Sequence, residues 1–305
     1  MPDQPKPPQA PPPTAFSGAL LAFSAFLCWG LFPLYFKQVA EVPAVEMLAN
    51  RVIWSLLFVA GLLTVIRGWP AALAVFTNRR LLAILTLSAV VISVNWGVFI
   101  WAIANGRVLE SSLGYYINPL VSVVLGVAVL RERLRPVQWA AVGLAAAGVA
   151  YQVVGLGVFP WVALTLAFSF GFYGLIRKMA AVDAFSGLFI ETLILSPLAL
   201  TYLAWLAATG QAMFGQGDWH LDAWIAASGV ITALPLILFV AGAKRIRLST
   251  LGLLQYVVPT GHFVLAVFVF GEPFTSGTLV TFACIWAALA VYSFDTARRE
   301  MRRSL

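Results

Sequence analysis

Residues 116–132 read YINPLVSVVLGVAVLRE, and residues 256–272 read YVVPTGHFVLAVFVFGE. Both stretches open on Tyr-x-x-Pro and close on Glu, at a shift of 140 residues: Tyr116/Tyr256, Pro119/Pro259 and Glu132/Glu272. Arg107/Arg247 and Leu125/Leu265 keep that shift, while Gly30/Gly171, Lys37/Lys178 and Ser55/Ser196 fall at 141. One matched pair means little, but a common order at a nearly constant offset implies two related halves. A repeat of this size in an apolar chain is the signature of a membrane protein built from two copies of one unit.

Composition fixes the solvent. The chain is 61% hydrophobic and 10% charged, too apolar to be buried in a water-soluble core. Its net charge of +7 could suggest nucleic acid. The basic residues, however, fall in short loops between apolar runs, which reads as membrane orientation. No nucleic-acid partner is therefore expected. Cys28 and Cys284 lie within apolar runs and form no metal-binding spacing. Residues 1–15 contain seven prolines and no apolar period, so they read as a disordered tail.

About 20 apolar residues span a bilayer core of roughly 30 Å. Ten runs qualify: 16–36, 45–66, 81–104, 109–130, 136–156, 158–176, 185–208, 223–243, 248–270 and 275–294. The first of them is too long for a signal-peptide core. On this division one side collects Lys6, Arg67, Arg79, Arg80, Arg131, Arg133, Arg135, Arg177, Lys178, Lys244, Arg245, Arg247, Arg298, Arg299, Arg302 and Arg303. The other side holds Lys37 and Arg107, and Arg51 lies inside a run. Sixteen against two predicts that both termini are cytoplasmic. The expected fold is an all-α integral membrane protein with ten transmembrane helices. Residues 16–156 and 158–294 form two five-helix repeats, and 295–305 a basic cytoplasmic tail. Five is odd, so the second repeat enters the membrane inverted.

Polar atoms facing lipid are costly, so intramembrane polar residues should point inward. In the fourth run Ser112, Tyr115, Pro119 and Ser122 share a helical face; their mates in the ninth are Gly252, Gln255, Pro259 and His262. Depth separates the larger groups. Arg51 falls about 9 Å below the outer surface, with Asn95, Tyr116 and His262 at similar depth. Glu191 falls about 9 Å from the inner surface, with Gln255 nearby. Arg51 and Glu191 are therefore expected to be too far apart for an ion pair. The predicted pathway has an outer part at Arg51, Asn95, Tyr116 and His262, and an inner part at Glu191 and Gln255. Against this stand blander readings: Arg51 and Glu191 snorkel to their interfaces, and His262 is a neutral bundle residue. Trp29, Trp54, Trp96, Tyr115, Tyr116, Phe170 and Tyr173 could form an aromatic wall for planar or lipophilic solutes. Asn118 and Tyr256, close to the two prolines, complete the pathway set. Pro119 and Pro259, near the midplane, are candidate hinges.

The segment LRERLRPVQWAAVGLAAAGV at 130–149 resembles the loop-and-helix signature of the EamA-type drug/metabolite transporter superfamily, with Glu132 and Gln138 at its characteristic positions. FGEPF at 270–274 keeps Glu272 but lacks the glutamine. WGLFPLYFK (29–37), NRVIWS (50–55), NWGVFIWAIANGRVLESSLGYYINPLV (95–121) and LSTLGLLQYVVPT (248–260) are similar to RarD-type permeases. The resemblance implies a ten-helix permease of the bacterial inner membrane. It also implies alternating access around a cavity lined by helices 1–4 and 6–9.

These readings favour a secondary transporter exporting small amphipathic metabolites or drugs, without catalytic residues, cofactor or metal. Its expected partners are a small-molecule substrate and the lipid bilayer. Protons are a candidate coupling ion through Glu191 or His262, and the chain acts as a monomer or homodimer. The alternative is a membrane-embedded enzyme acting on a lipid or lipid-linked group. Such enzymes cluster carboxylates and histidines. The nearest approach here is His220 between Asp218 and Asp222, which reads as a solvated loop.

Overall fold

A computed structural model describes residues 15–105, 107–156, 159–271 and 276–303. Every regular element among them is helical. The first half contains α1 (Ala15–Gly30), α2 (Phe32–Gln38), α3 (Ala44–Val65), α4 (Trp69–Thr77), α5 (Arg79–Ala104), α6 (Val108–Ala128) and α7 (Pro136–Leu156). The second contains α8 (Trp161–Met179), α9 (Ala184–Ala208), α10 (Trp219–Ala243), α11 (Leu248–Leu254), α12 (Val257–Val264) and α13 (Ser276–Arg303). A π-helical turn (Leu265–Val269) follows α12. Among the described residues nine segments are long and apolar enough to cross a membrane, and Leu279–Asp295 within α13 is a shorter apolar stretch. The proline-rich positions 1–14 and Glu272 lie outside the described residues.

Several expected boundaries move, for local reasons. The first run divides into α1 and α2 because Pro33 has no N–H for the Trp29 carbonyl four residues earlier. The ninth run divides more deeply. Pro259 cannot bond Gln255, so Val258 N takes the Gln255 carbonyl at 3.0 Å in a tighter turn, and α11 ends there. Pro119, expected to be its equivalent hinge, leaves α6 uninterrupted. The sixth run continues to Met179 and carries Arg177 into its last turn, so Arg177 is not a loop cation. The loop after α3 contains α4, and α13 runs on through residues 295–303. Arg131 (φ 55°) ends α6 in the left-handed region, where Gly271 (φ 67°) stands after the π turn.

Packing runs between the halves. α3 packs on α9, α6 on α11, and α7 on α13; α1 packs on α10 and α12, while α8 packs on α5 and α6. Small residues permit the closest approaches. A Cβ on Gly252 would stand 2.6 Å from the Pro119 carbonyl oxygen, and one on Gly261 would stand 2.9 Å from Gly30 Cα. α7 and α13 mainly pack on each other. Thr281 donates to the Gly148 carbonyl, a Cβ on Gly148 would meet Cys284, and Arg135 pairs with Asp295. Gln138 closes the first turn of α7 by accepting from Arg135 N at 3.1 Å, a capping-box arrangement.

Candidate functional site

A cavity of about 290 Å³ occupies one half of the bundle. It lies among the C-terminal parts of α1 and α5, α2, the N-terminal parts of α3 and α6, and the middles of α8 and α10. Gln255, Val258 and His262 close one side of it. Aromatic rings form much of the apolar wall: Trp29, Phe32, Phe36, Trp96, Phe99, Tyr115 and Phe170. The polar lining is Arg51, Asn95, Ser111, Ser112, Asn118, Thr232, Gln255 and His262. A mainly apolar concavity with a few convergent polar groups is the usual form of a small-molecule site.

Arg51 is the charged side chain in that lining. Its Nε donates to Thr232 Oγ1 at 2.8 Å, and its guanidinium lies 5.5 Å from the Trp96 ring centre and 5.7 Å from that of Phe36. Among the described residues no carboxylate pairs with it. The expectation that Arg51 and Glu191 do not meet therefore holds, and Glu191 has another partner.

His262 shows how local chain chemistry builds the wall. Pro33 leaves the Trp29 carbonyl without its helical donor, and His262 Nε2 lies 3.1 Å from that oxygen. A carbonyl only accepts, so Nε2 carries the proton and the neutral ring keeps Nδ1 as its acceptor. Gly30 and Gly261 let α1 and α12 touch beside this bond. Tyr115 packs edge-on against the imidazole at 5.6 Å. Asn95 ties α5 to α8, donating to the Leu166 carbonyl and to Ser169 Oγ, both at 2.9 Å. Asn118 is buried at the wall, and its Oδ1 has no hydrogen-bond partner.

The other half of the bundle is filled. Among the described residues the largest buried apolar cluster runs into it from the cavity wall at Leu236 and Val258, through Ala22, Phe26, Val59, Leu63, Leu125 and Leu188 to Val240, Leu248 and Leu251. Polar groups fasten its end. Arg177, 0% exposed, has Nε 3.4 Å from Oε1 of Glu191, 2% exposed, and Tyr173 donates to Glu191 Oε2 at 3.3 Å. Lys178 donates to the carbonyls of Ala243 and Ile246, and Lys244 donates to that of Ala180, so each lysine satisfies the end of the other's helix. Burial and the nearby Arg177 and Lys178 hold the Lys244 ammonium below its ordinary pKa, with Asp183 opposing. Glu132 caps α11, accepting from Leu248 N (2.6 Å), Ser249 N (2.9 Å) and Ser249 Oγ (2.6 Å).

The sequence-derived set therefore divides. Trp29, Arg51, Asn95, Trp96, Tyr115, Asn118, Gln255 and His262 line the cavity. Trp54, Tyr116, Tyr173, Tyr256, Glu191, Pro119 and Pro259 do not. Tyr256 is fully buried against α7 and α13, and Tyr116 packs on Phe282. Trp54 packs near Phe214, with Gly229 against its backbone. Spacing assigns a helical residue its face but not which neighbour covers that face. Thr232 and Phe99 were missed; a lone threonine in the middle of the eighth apolar run was the available signal. The segment around His220, expected to be a solvated loop, is instead the start of α10: Asp218 is its N-cap and accepts from His220 N and Leu221 N, and Asp222 in the first turn accepts from Gly215 N.

The profile of the EamA-like transporter family matches residues 16–153 and again 159–294. The chain belongs to the EamA-like transporter family. Among EamA relatives, an uncharacterized transporter of Vibrio cholerae is 48% identical over 92% of this chain and 93% of its own. Protein RarD of Escherichia coli K12 is 46% identical over 94% and 97%. A chloramphenicol-sensitive protein RarD of Pseudomonas aeruginosa is 35% identical over 94% and 98%. A crystal structure of 19% identity superposes with a TM-score of 0.70 over 93% of this chain and 99% of that one, which shows the fold alone. This EamA protein is a RarD-type membrane transporter, multi-pass in the bacterial inner membrane.

Proposed function

We propose that the protein is a secondary transporter that exports small amphipathic solutes by alternating access around the described cavity. One observation carries this reading: a solute-sized, aromatic-lined cavity lies in one half of the bundle, while the other half is packed and fastened by Arg177–Glu191, Lys178, Lys244 and Glu132. The charge distribution puts that fastened end in the cytoplasm, with ten spans and both termini inside. The cavity then opens outward, and the inward state breaks the fastenings. The helix pairing supports two inverted five-helix repeats. Exchanging the halves exchanges α1·α10 with α8·α5 and α6·α8 with α12·α1, and returns α3·α9, α6·α11 and α7·α13 to themselves. Pro259, which already divides α11 from α12, is the proposed hinge.

Proton coupling is assigned to His262 rather than Glu191, because His262 faces the cavity and Glu191 is held by Arg177. Facilitated uniport is the competing mechanism. It predicts identical rates and accumulation limits in proteoliposomes with and without a pH gradient. The topology and the open side are tested with Ser112→Cys in a background lacking Cys28 and Cys284. An impermeant maleimide should label it from the periplasmic face of right-side-out vesicles. Labelling from the cytoplasmic face alone would sink the outward-open reading.

A further inference from the structure

We propose, building on the cavity reading, that the solute is an amphipathic organic anion whose carboxylate docks on Arg51, with a planar apolar body along the aromatic wall. Arg51 sits in a largely aromatic surround, and among the described residues it forms no ion pair. Its Nε is committed to Thr232, which orients the guanidinium and leaves the two terminal nitrogens for a planar anion. A guanidinium in such a surround is costly unless an anion answers it.

Three further observations narrow the class. Among the described residues the cavity lining contains no carboxylate, so a cationic group on the solute meets only neutral acceptors there. The rings of Trp96 and Phe36, which could otherwise hold a cation, are already engaged by Arg51. Asn118 is 5% exposed, lines the cavity and keeps Oδ1 without a partner, so it accepts a hydroxyl or N–H from the solute. A carboxylate, a planar body and one neutral donor together describe a hydroxylated or N-acylated aromatic acid rather than a cationic drug.

The probe is 3-phenyllactate, compared by isothermal titration at neutral pH with its uncharged amide and with phenylalanine. These have similar shapes but carry net charges of minus one, zero and zero. The acid should bind at least about tenfold more tightly than the amide, the difference between a charged and a neutral hydrogen-bonded partner, and more tightly than phenylalanine. Arg51→Gln should bring acid and amide to equal affinity, whereas Arg51→Lys keeps the preference for the acid at reduced strength. Melting temperature and monodispersity of each variant report folding separately. An amide or phenylalanine that binds as tightly as the acid overturns the proposal, as does an acid that fails to saturate at millimolar concentration. Ser112→Trp, which fills the cavity from an exposed position, separates the two levels. Acid binding that survives both Ser112→Trp and Arg51→Gln lies outside the cavity and removes that reading. Binding lost in Ser112→Trp with no preference for the acid leaves the cavity and removes only the anion.

Discussion

Removing Glu191 should destabilise the fold far more than removing any single contact at the cavity wall. Arg177 and Glu191 are 0% and 2% exposed, with Nε and Oε1 3.4 Å apart. At an effective dielectric of about 20, that separation gives an attraction of about 5 kcal/mol. The pair is close enough to interact but is not aligned as a hydrogen bond, since Arg177 Nε and Nη1 and Glu191 Oε1 lack bonded partners. Arg177 Nη2 donates to the Ala184 carbonyl at 3.3 Å, and a Cβ on Gly187 would overlap the guanidinium. The arginine is thus confined and cannot reach solvent when its counter-charge is lost. Glu191→Met should therefore cost about 3–5 kcal/mol, as should Arg177→Met. The double variant replaces a poorly aligned buried pair with two apolar side chains and should recover most of either loss. Equilibrium unfolding in mixed micelles by titrating SDS, read by far-UV circular dichroism, supplies all four corners of the cycle. Single losses below about 1 kcal/mol, the range of an exposed pair, would refute the reasoning. So would a double variant as damaged as the sum of the singles. If Glu191 instead relays protons, Glu191→Met keeps its stability and loses any dependence of transport on a pH gradient.

Three further outcomes follow from the geometry. Glu132→Gln removes the charge from a carboxylate that holds three donors at the start of α11, and should cost about 1.5–3 kcal/mol in the same unfolding assay. Gly252→Val places a Cβ 2.6 Å from the Pro119 carbonyl oxygen and 2.8 Å from Ser122 Cβ. It should force α6 from α11 and cost at least about 1–3 kcal/mol, seen as a lower melting temperature; Gly61→Val, with open space around it, is the neutral control. Pro259→Ala restores the N–H four residues after the Gln255 carbonyl, which now accepts from Val258 N instead, and should join α11 to α12. Transport should fall while the melting temperature holds or rises, and an unchanged transport rate would remove Pro259 from the moving parts.

Much of the membrane fold could be read from the chain because lipid imposes a simple rule. Every backbone group must be bonded within its own segment, so length and apolarity mark each helix. The interruptions were harder to read. Pro33, Pro119 and Pro259 look alike in sequence, yet the first and last divide a helix and Pro119 does not. The cavity was half legible. Arg51, Asn95, Gln255 and His262 are conspicuous because polar groups are expensive in lipid, and all four line it. Tyr256 and Tyr173 are as conspicuous but are sealed in packing.

The chain by itself determined its solvent and its helical class, because these depend on composition and on spacing along one strand. It also carries matched residues at a nearly constant offset, since offsets are a property of order alone. Only the tertiary structure decided which polar residues face a cavity and which face one another. It also decided that Arg177, which spacing assigns to a loop, is the buried partner of Glu191. That outcome depends on how far α8 extends before it meets Ala180, and on Gly187 leaving room for a guanidinium. Such close approaches between distant segments are set by side-chain volume across an interface, and no periodicity within one helix encodes them.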